Sequence, residues 1–138
     1  MDKREIYSWS DFDEDMNKIA AWAKPRNFKS VYGIPRGGLV LAIKLSHILD
    51  IPLVLHRGDI TPNTLVVDDI VDKGKTLKRF LRSVDINCFV ASIFWNSSSP
   101  VKPNLFVRKK KRNTKKKKYW IVFPWETEAS SRYDGTVL

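Results

Sequence analysis

Cysteine occurs once in the 138 residues, as Cys88, and no apolar run approaches the roughly 18 residues that a membrane-spanning helix needs. The lone thiol excludes an intrachain disulfide. Set in the apolar run Cys88, Phe89, Val90, Ala91, it reads as a small buried side chain in a reducing compartment. Residues 1–5 (MDKRE) lack the apolar core and small-residue cleavage site of a secretory signal, so the expectation is a cytoplasmic protein with no membrane partner. Internal repeats are absent as well. Acidic residues are in deficit, 15 against 25 Lys and Arg, for a net charge of +10. Spread evenly, that excess would suggest a polyanionic partner. Nine of the cations instead lie within residues 108–118 (RKKKRNTKKKK), and the 16 that remain leave the rest of the chain at +1.

With 43% hydrophobic and 29% charged residues, residues 1–138 make one ordinary globular domain and are too few for two. Ser10 precedes an acidic turn of Asp11, Asp13 and Glu14, and Phe12, Met16, Ile19, Ala20 and Ala23 recur at helical spacing up to Pro25. This predicts an amphipathic helix capped by Ser10. Residues 30–32 (SVY) read as a short strand entering the glycine turn 33–38 (GIPRGG), followed by a mostly buried helix through Leu49. Residues 52–55 and 64–67 read as further strands, residues 74–84 as a helix, and residues 88–95 as a fourth strand. Strands alternating with helices at this spacing predict an α/β fold with a mostly parallel sheet covered on both faces. Beyond Trp95, residues 105–107 and 119–123 flank the lysines symmetrically. They predict a small β-hairpin hood with residues 108–118 as its cationic tip, followed by a polar tail over 126–138.

The densest chemistry lies in residues 65–76 (LVVDDIVDKGKT). Ligands of open α/β sheets collect beyond the carboxyl ends of the strands, so a strand running into Asp68 and Asp69 sets two acceptors there, suited to ribose hydroxyls. The turn from Asp72 to Thr76 leads into a helix N-terminus, whose N–H groups and dipole favour a phosphate, with the Thr76 hydroxyl as a further donor. Diol acceptors beside a phosphate cradle describe a ribose 5-phosphate site.

These residues resemble the 5-phosphoribosyl-1-pyrophosphate (PRPP) motif of the type I phosphoribosyltransferases: four apolar, two acidic and two apolar residues, then a phosphate loop ending in Thr. Lys73 departs from the family's usual Ser or Thr. The turn 33–38 is similar to the family's pyrophosphate loop, which implies that Pro35, Arg36 and Gly37 hold the leaving group and that the bond between Pro35 and Arg36 is a non-proline cis peptide. Residues 119–126 (YWIVFPWE) resemble the carboxyl-terminal segment of bacterial xanthine-guanine and archaeal-type hypoxanthine enzymes, where the residue matching Trp120 stacks on the purine and backbone groups near Ile121 read its edge. Residues 7–9 (YSW) resemble the amino terminus of the same enzymes.

Two departures bear on substrate and rate. The lysine that donates to the purine 6-oxygen in the oxopurine enzymes is matched here by Asn96, an amide that can donate or accept; Lys102 of the next loop reads more simply as a solvated lysine than as a substitute donor. The family's mobile lid is matched by only about eight residues, from His56 to Asn63, and His56 and Arg57 either reach pyrophosphate from it or occupy plain surface positions. The tripeptide at residues 57–59 (RGD) matches an adhesion motif by chance.

The resemblance implies displacement of Mg²⁺-bound pyrophosphate from C1 of PRPP by a ring nitrogen of a purine, in nucleotide salvage. Arg36 would stabilise the leaving group. Asp68 and Asp69 would hold the ribose hydroxyls and are candidate Mg²⁺ ligands, although the ion is expected mainly through PRPP and pyrophosphate. Asp72, Lys73, Gly74, Lys75 and Thr76 would anchor the 5-phosphate. Asp72 would also accept the N7 proton as a general base or simply hold the base. Trp120, Ile121 and Asn96 would form the base site. The expected partners are PRPP, a purine and further copies of the chain in a homodimer or homotetramer. The rival reading is a non-catalytic PRPP-binding regulator that binds RNA through residues 108–118, a surface that reads more simply as solvated charge.

Overall fold

The structure is a computed structural model and describes residues 2–127. The polar tail expected over 126–138 therefore lies outside the described residues from 128 onward. The chain order is β1 (Lys3–Ile6), α1 (Trp9–Ala23), β2 (Ser30–Gly33), α2 (Gly37–Leu49), β3 (Leu53–Val54), β4 (Thr64–Val71), α3 (Lys75–Val84), β5 (Phe89–Asn96), β6 (Leu105–Lys110) and β7 (Tyr119–Val122). Single 3₁₀ turns occupy Lys24–Arg26 and Arg57–Asp59.

Five strands form a parallel sheet in the order β3-β2-β4-β5-β6. Its faces are covered unequally. Leu65, Val67, Ala91 and Ile93 pack against the apolar stripes of α1 and α2, whereas Val66, Val71 and Val90 meet Leu77 and Phe80 of α3. β4 lies at the centre with Leu65, Val66 and Val67 fully buried, as expected for a strand covered on both sides. Side-chain alternation slips by one residue at Asp68–Asp69: Val67 faces α1 and α2, and the next residue on that face is Ile70 rather than Asp69.

α1 begins two residues earlier than the sequence predicts. Its cap is Ser8, whose hydroxyl accepts from Asp11 N at 3.0 Å while the Asp11 carboxylate accepts from Ser8 N at 3.0 Å. This reciprocal box satisfies two backbone donors at the helix start. The stripe predicted from spacing, Phe12, Met16, Ile19, Ala20 and Ala23, is buried throughout.

The hairpin is the larger correction. β6 and β7 do not pair with each other. β6 lies parallel beside β5 at the edge of the main sheet, and β7 pairs in parallel with β1 in a separate two-stranded sheet, Lys3 opposite Tyr119 and Ile6 opposite Val122. The hood is thus built from opposite ends of the chain, and residues 108–118 are partly strand rather than a hairpin tip. Two strands alone are marginal in water. Aromatic packing holds this pair: Tyr7 meets Phe94 and Phe123 edge-on, each at 5.5 Å, Phe123 stacks on Trp125 at 4.9 Å, and Trp125 packs edge-on against Phe12 of α1 at 5.5 Å. Such contacts contribute about 0.5–1.5 kcal/mol each beyond burial.

Beneath the hood, Asp15 is fully buried on the apolar side of α1. Its carboxylate accepts from the Tyr7 hydroxyl at 2.7 Å and from Arg108 Nε at 2.7 Å and Nη2 at 3.3 Å. Burial, and then the Asp15 bond, push the Tyr7 hydroxyl above its ordinary titration range, and the same carboxylate raises the Arg108 guanidinium. One cation of the basic segment therefore serves as an internal tie between β6 and α1.

Candidate active site

A cleft of about 960 Å³ opens above the carboxyl ends of β2 and β4. Its floor is the end of β4 and the turn that follows, its sides are the β2–α2 turn and the hood, and its lining includes Asp68, Asp69, Asp72, Arg36, Lys110 and Trp120. Three motifs separated in sequence thus meet around one space.

Asp68 is almost fully buried, and its Oδ1 accepts from Asp69 N at 2.9 Å, which orients the first carboxylate against its own backbone. β4 continues as strand through this pair to Val71 rather than ending at it. Gly37 and Gly38 open α2 beside them. A Cβ on Gly37 would overlap the Asp69 carboxylate, and one on Gly38 would overlap the Val67 carbonyl, so these positions require glycine for close approach rather than for a special backbone angle. The Pro35–Arg36 peptide is cis, and Arg36 is exposed along the cleft wall.

The phosphate turn is built around Gly74, whose φ of +79° suits glycine. It precedes α3 without any side-chain cap, which leaves the first N–H groups of the helix to a ligand. Lys73, Lys75 and Thr76 line the cleft around this terminus, and Arg79, one turn further on, joins them.

On the opposite wall, Trp120 is 49% exposed and Ile121 is buried with part of its surface on the cleft. An indole left half-open on a cavity wall offers an apolar plane to a flat ligand.

Other expected residues are not brought to the cleft. Asn96 is buried behind Asp72 and is not among the lining residues: its Nδ2 donates to Asp72 Oδ1 at 2.9 Å, while its own carbonyl oxygen accepts from Ser98 N at 3.0 Å and Ser98 Oγ at 2.7 Å. With every one of these bonds internal, the amide orients a carboxylate rather than a ligand. Lys102 lies over the Trp95 and Phe106 rings at 5.2 and 5.8 Å, on the α3 side of the sheet. Arg57 donates to Ser83 Oγ at 3.2 Å and lies against Phe80, so the short segment from 56 to 63 is packed on α3 instead of overhanging the cleft.

The sequence gives little notice of three cleft residues, Lys110, Asn113 and Lys118. Lys110 is 6% exposed and pairs with Asp72 Oδ1 at 3.3 Å. Its signal was hidden within nine cations, where only strand placement separates an inward lysine from its exposed neighbour Lys109.

A parallel sheet with paired carboxylates on its central strand, an uncapped helix N-terminus and a glycine-tight turn at the same end is the α/β fold of the type I phosphoribosyltransferases. No family model matches the chain. Its relatives nevertheless agree. A xanthine-guanine phosphoribosyltransferase of Desulfotalea psychrophila is 27% identical over 144 aligned positions, covering 88% of this chain and 86% of the relative. One of Cereibacter sphaeroides is 29% identical, covering 86% and 84%. The crystal structure of a purine phosphoribosyltransferase from Pyrococcus horikoshii superposes with a TM-score of 0.76 at 25% identity, covering 94% of this chain and 98% of that one. The chain is similar over most of its length to type I phosphoribosyltransferases of the purine and xanthine-guanine kind.

Proposed function

We propose that the protein transfers the phosphoribosyl group of PRPP to a 6-oxopurine (guanine, hypoxanthine or xanthine) with release of pyrophosphate, as a step of purine salvage. The observation that carries this reading is the convergence of Asp68, Asp69, the α3 N-terminus, Arg36 and Trp120 on a single cleft.

In this reading the 5-phosphate lies against the first N–H groups of α3 and Thr76, with Lys73 and Lys75 adding positive charge in place of a hydroxyl donor. Asp68 and Asp69 accept from the ribose hydroxyls and fix the ring. Arg36 and the backbone of residues 35–37 hold the pyrophosphate. A ring nitrogen of the purine, stacked on Trp120 with its edge at the Ile121 backbone, forms the new bond to C1 as the C1–O bond to pyrophosphate breaks. Asp72 faces the same cleft and takes the proton that the base releases. Catalysis here is positioning plus stabilisation of charge that develops on the ribose ring and the leaving oxygens.

Mg²⁺ is part of the proposal and, when bound, neutralises the pyrophosphate. The donor set suits it: Asp68 and Asp69 offer hard oxygens, and Mg²⁺ is typically held by one or two carboxylates plus phosphate oxygens and water. Among the described residues no group of three or more His, Cys, Asp and Glu could hold an ion by itself, which fits a metal that arrives with its phosphates. Assembly into a homodimer or homotetramer belongs to the same reading and is checked by light scattering.

The test is pyrophosphate release from Mg²⁺ and PRPP with guanine, hypoxanthine, xanthine, adenine or uracil, with the nucleotide identified chromatographically. Base-dependent turnover that disappears in the Asp68→Asn, Asp69→Asn double variant is the expected result. Absence of turnover with every base, while PRPP still protects against thermal unfolding, would replace the transferase with a PRPP-binding regulator.

A further inference from the structure

We propose that Asp15, which lies outside the cleft, is a positioning residue for base transfer: its buried carboxylate fixes the spacing of the two cleft walls, the hood that carries Trp120 and the edge strand that meets Asp72. This rests on the purine-transfer reading above and adds the residue that sets the width of the base site.

A single oxygen joins the two walls. Asp15 Oδ2 accepts from the Tyr7 hydroxyl at 2.7 Å and from Arg108 Nε at 2.7 Å, while Oδ1 accepts from Arg108 Nη2 at 3.3 Å. Tyr7 belongs to the hood. It follows β1 directly, and its N–H donates at 2.9 Å to the carbonyl of Val122, two residues along β7 from Trp120. Arg108 belongs to the main sheet. It lies opposite Phe94 on β6, and two residues further along that strand Lys110 pairs with Asp72 Oδ1 at 3.3 Å. The guanidinium also lies over the Tyr7 ring at 5.4 Å, so the two arms touch each other as well as the carboxylate. Trp120 and Asp72 line one cleft from these two sides.

Stability alone does not account for the arrangement. Position 15 lies among Phe12, Met16 and Ile19 on the buried stripe of α1, where an apolar side chain would pack without desolvating a charge. Replacing a buried ion pair by apolar groups of similar volume is often neutral or stabilising. What apolar packing lacks is direction: it tolerates sliding, whereas hydrogen bonds at 2.7 Å fix both distance and angle. The ring contacts that join the hood to α1, Phe123 on Trp125 and Trp125 against Phe12, are of the sliding kind. A purine that stacks on Trp120 while it releases a proton to Asp72 spans both walls. An error in their spacing therefore falls on the base and not on PRPP, whose proposed contacts lie on the β2–α2 turn, β4 and α3.

The experiment removes the link without leaving a buried polar group unpaired. In the double variant Tyr7→Phe, Asp15→Leu, the Arg108 side chain keeps Asp11 at 3.6 Å and is 34% exposed, so its charge stays solvated. Melting temperature, KM for PRPP and KM for the best purine substrate are measured on the wild type and the variant. The expected result is a melting temperature equal to or above that of the wild type, an unchanged KM for PRPP and a KM for the purine raised about 10- to 100-fold, as a misplacement of about 1 Å can produce. An equal rise in both KM values, or no rise in that for the purine, makes Asp15 a structural residue and overturns the assignment. Arg108→Gln, which removes one arm only, carries the same comparison should the double variant not fold. A wild type that turns over no purine overturns the transfer reading itself, whereas normal wild-type transfer with an unmoved purine KM in the variant overturns only the role of Asp15.

Discussion

At the scale of single residues, the cleft depends on side chains that are missing as much as on those present. Gly37 lets the Asp69 carboxylate approach the start of α2 with no intervening methyl group. Gly37→Ala should therefore displace Asp69 and abolish PRPP protection in a thermal-shift assay. The fold should lose no more than the roughly 1–3 kcal/mol typical of an overpacked site. The carboxylates, the phosphate turn and the glycine turn were all legible in the sequence, because each is a contiguous motif whose residue types follow from the chemistry of phosphate and ribose. Lys110 and the inward role of Asn96 were not. Both depend on which neighbouring strand lies alongside, and a run of nine cations offers no periodicity to mark the one that turns inward. Asp15 did leave a signal: an acid at position 15, between Phe12, Met16 and Ile19, falls on the buried side of a helix and calls for a cation such as Arg108.

At the scale of elements, helices were read well from spacing and strand pairing was read poorly. A short apolar segment records that it is a strand but not which edge it joins, so the sequential neighbours β6 and β7 suggested a hairpin although β1 and β5 are their partners. β1 itself, four exposed residues of sequence KREI, shows no alternation at all. The start of α1 yields a measurable consequence. Hydrogen bonds from the Ser8 backbone and with its side chain hold the Asp11 carboxyl below its ordinary range. A carboxyl whose folded pKa lies below its unfolded value stabilises the fold above the unfolded value, near 3.9, and loses that contribution as pH falls through the folded one. Thermal melts between pH 6 and pH 2.5 should show this decline in the wild type and a shallower one in Asp11→Asn. Ser8→Ala should cost about 1 kcal/mol at neutral pH, as loss of a helix cap does.

For the whole molecule, the basic segment divides into two parts with different duties. Arg108 and Lys110 are bound into the fold through Asp15 and Asp72, whereas Lys111 and Lys117 lie over the Tyr119 ring and Lys118 lines the cleft mouth. The exposed part brings Lys118 to the cleft, where under the proposed function an anionic substrate enters. Raising salt from about 50 to 200 mM should slow PRPP association in stopped-flow measurements. Lys115→Gln with Lys117→Gln should flatten that salt dependence while shifting stability by no more than about 0.5 kcal/mol. Among the described residues, no helix is long and apolar enough to cross a membrane.

The pairing of β1 with β7 has a temporal side. Lys3 lies opposite Tyr119, so this ladder closes a loop of more than a hundred residues and forms only late in vectorial synthesis. The five-stranded sheet and the turn before α3 have all their residues once residue 110 has left the ribosome, but the Trp120 wall waits for β7. For that interval the nascent chain carries one half of the cleft, the ends of β2 and β4 and the start of α3, without the Trp120 wall, so under the proposed function the order of translation matches the order in which a sugar-phosphate site and then a base site are completed.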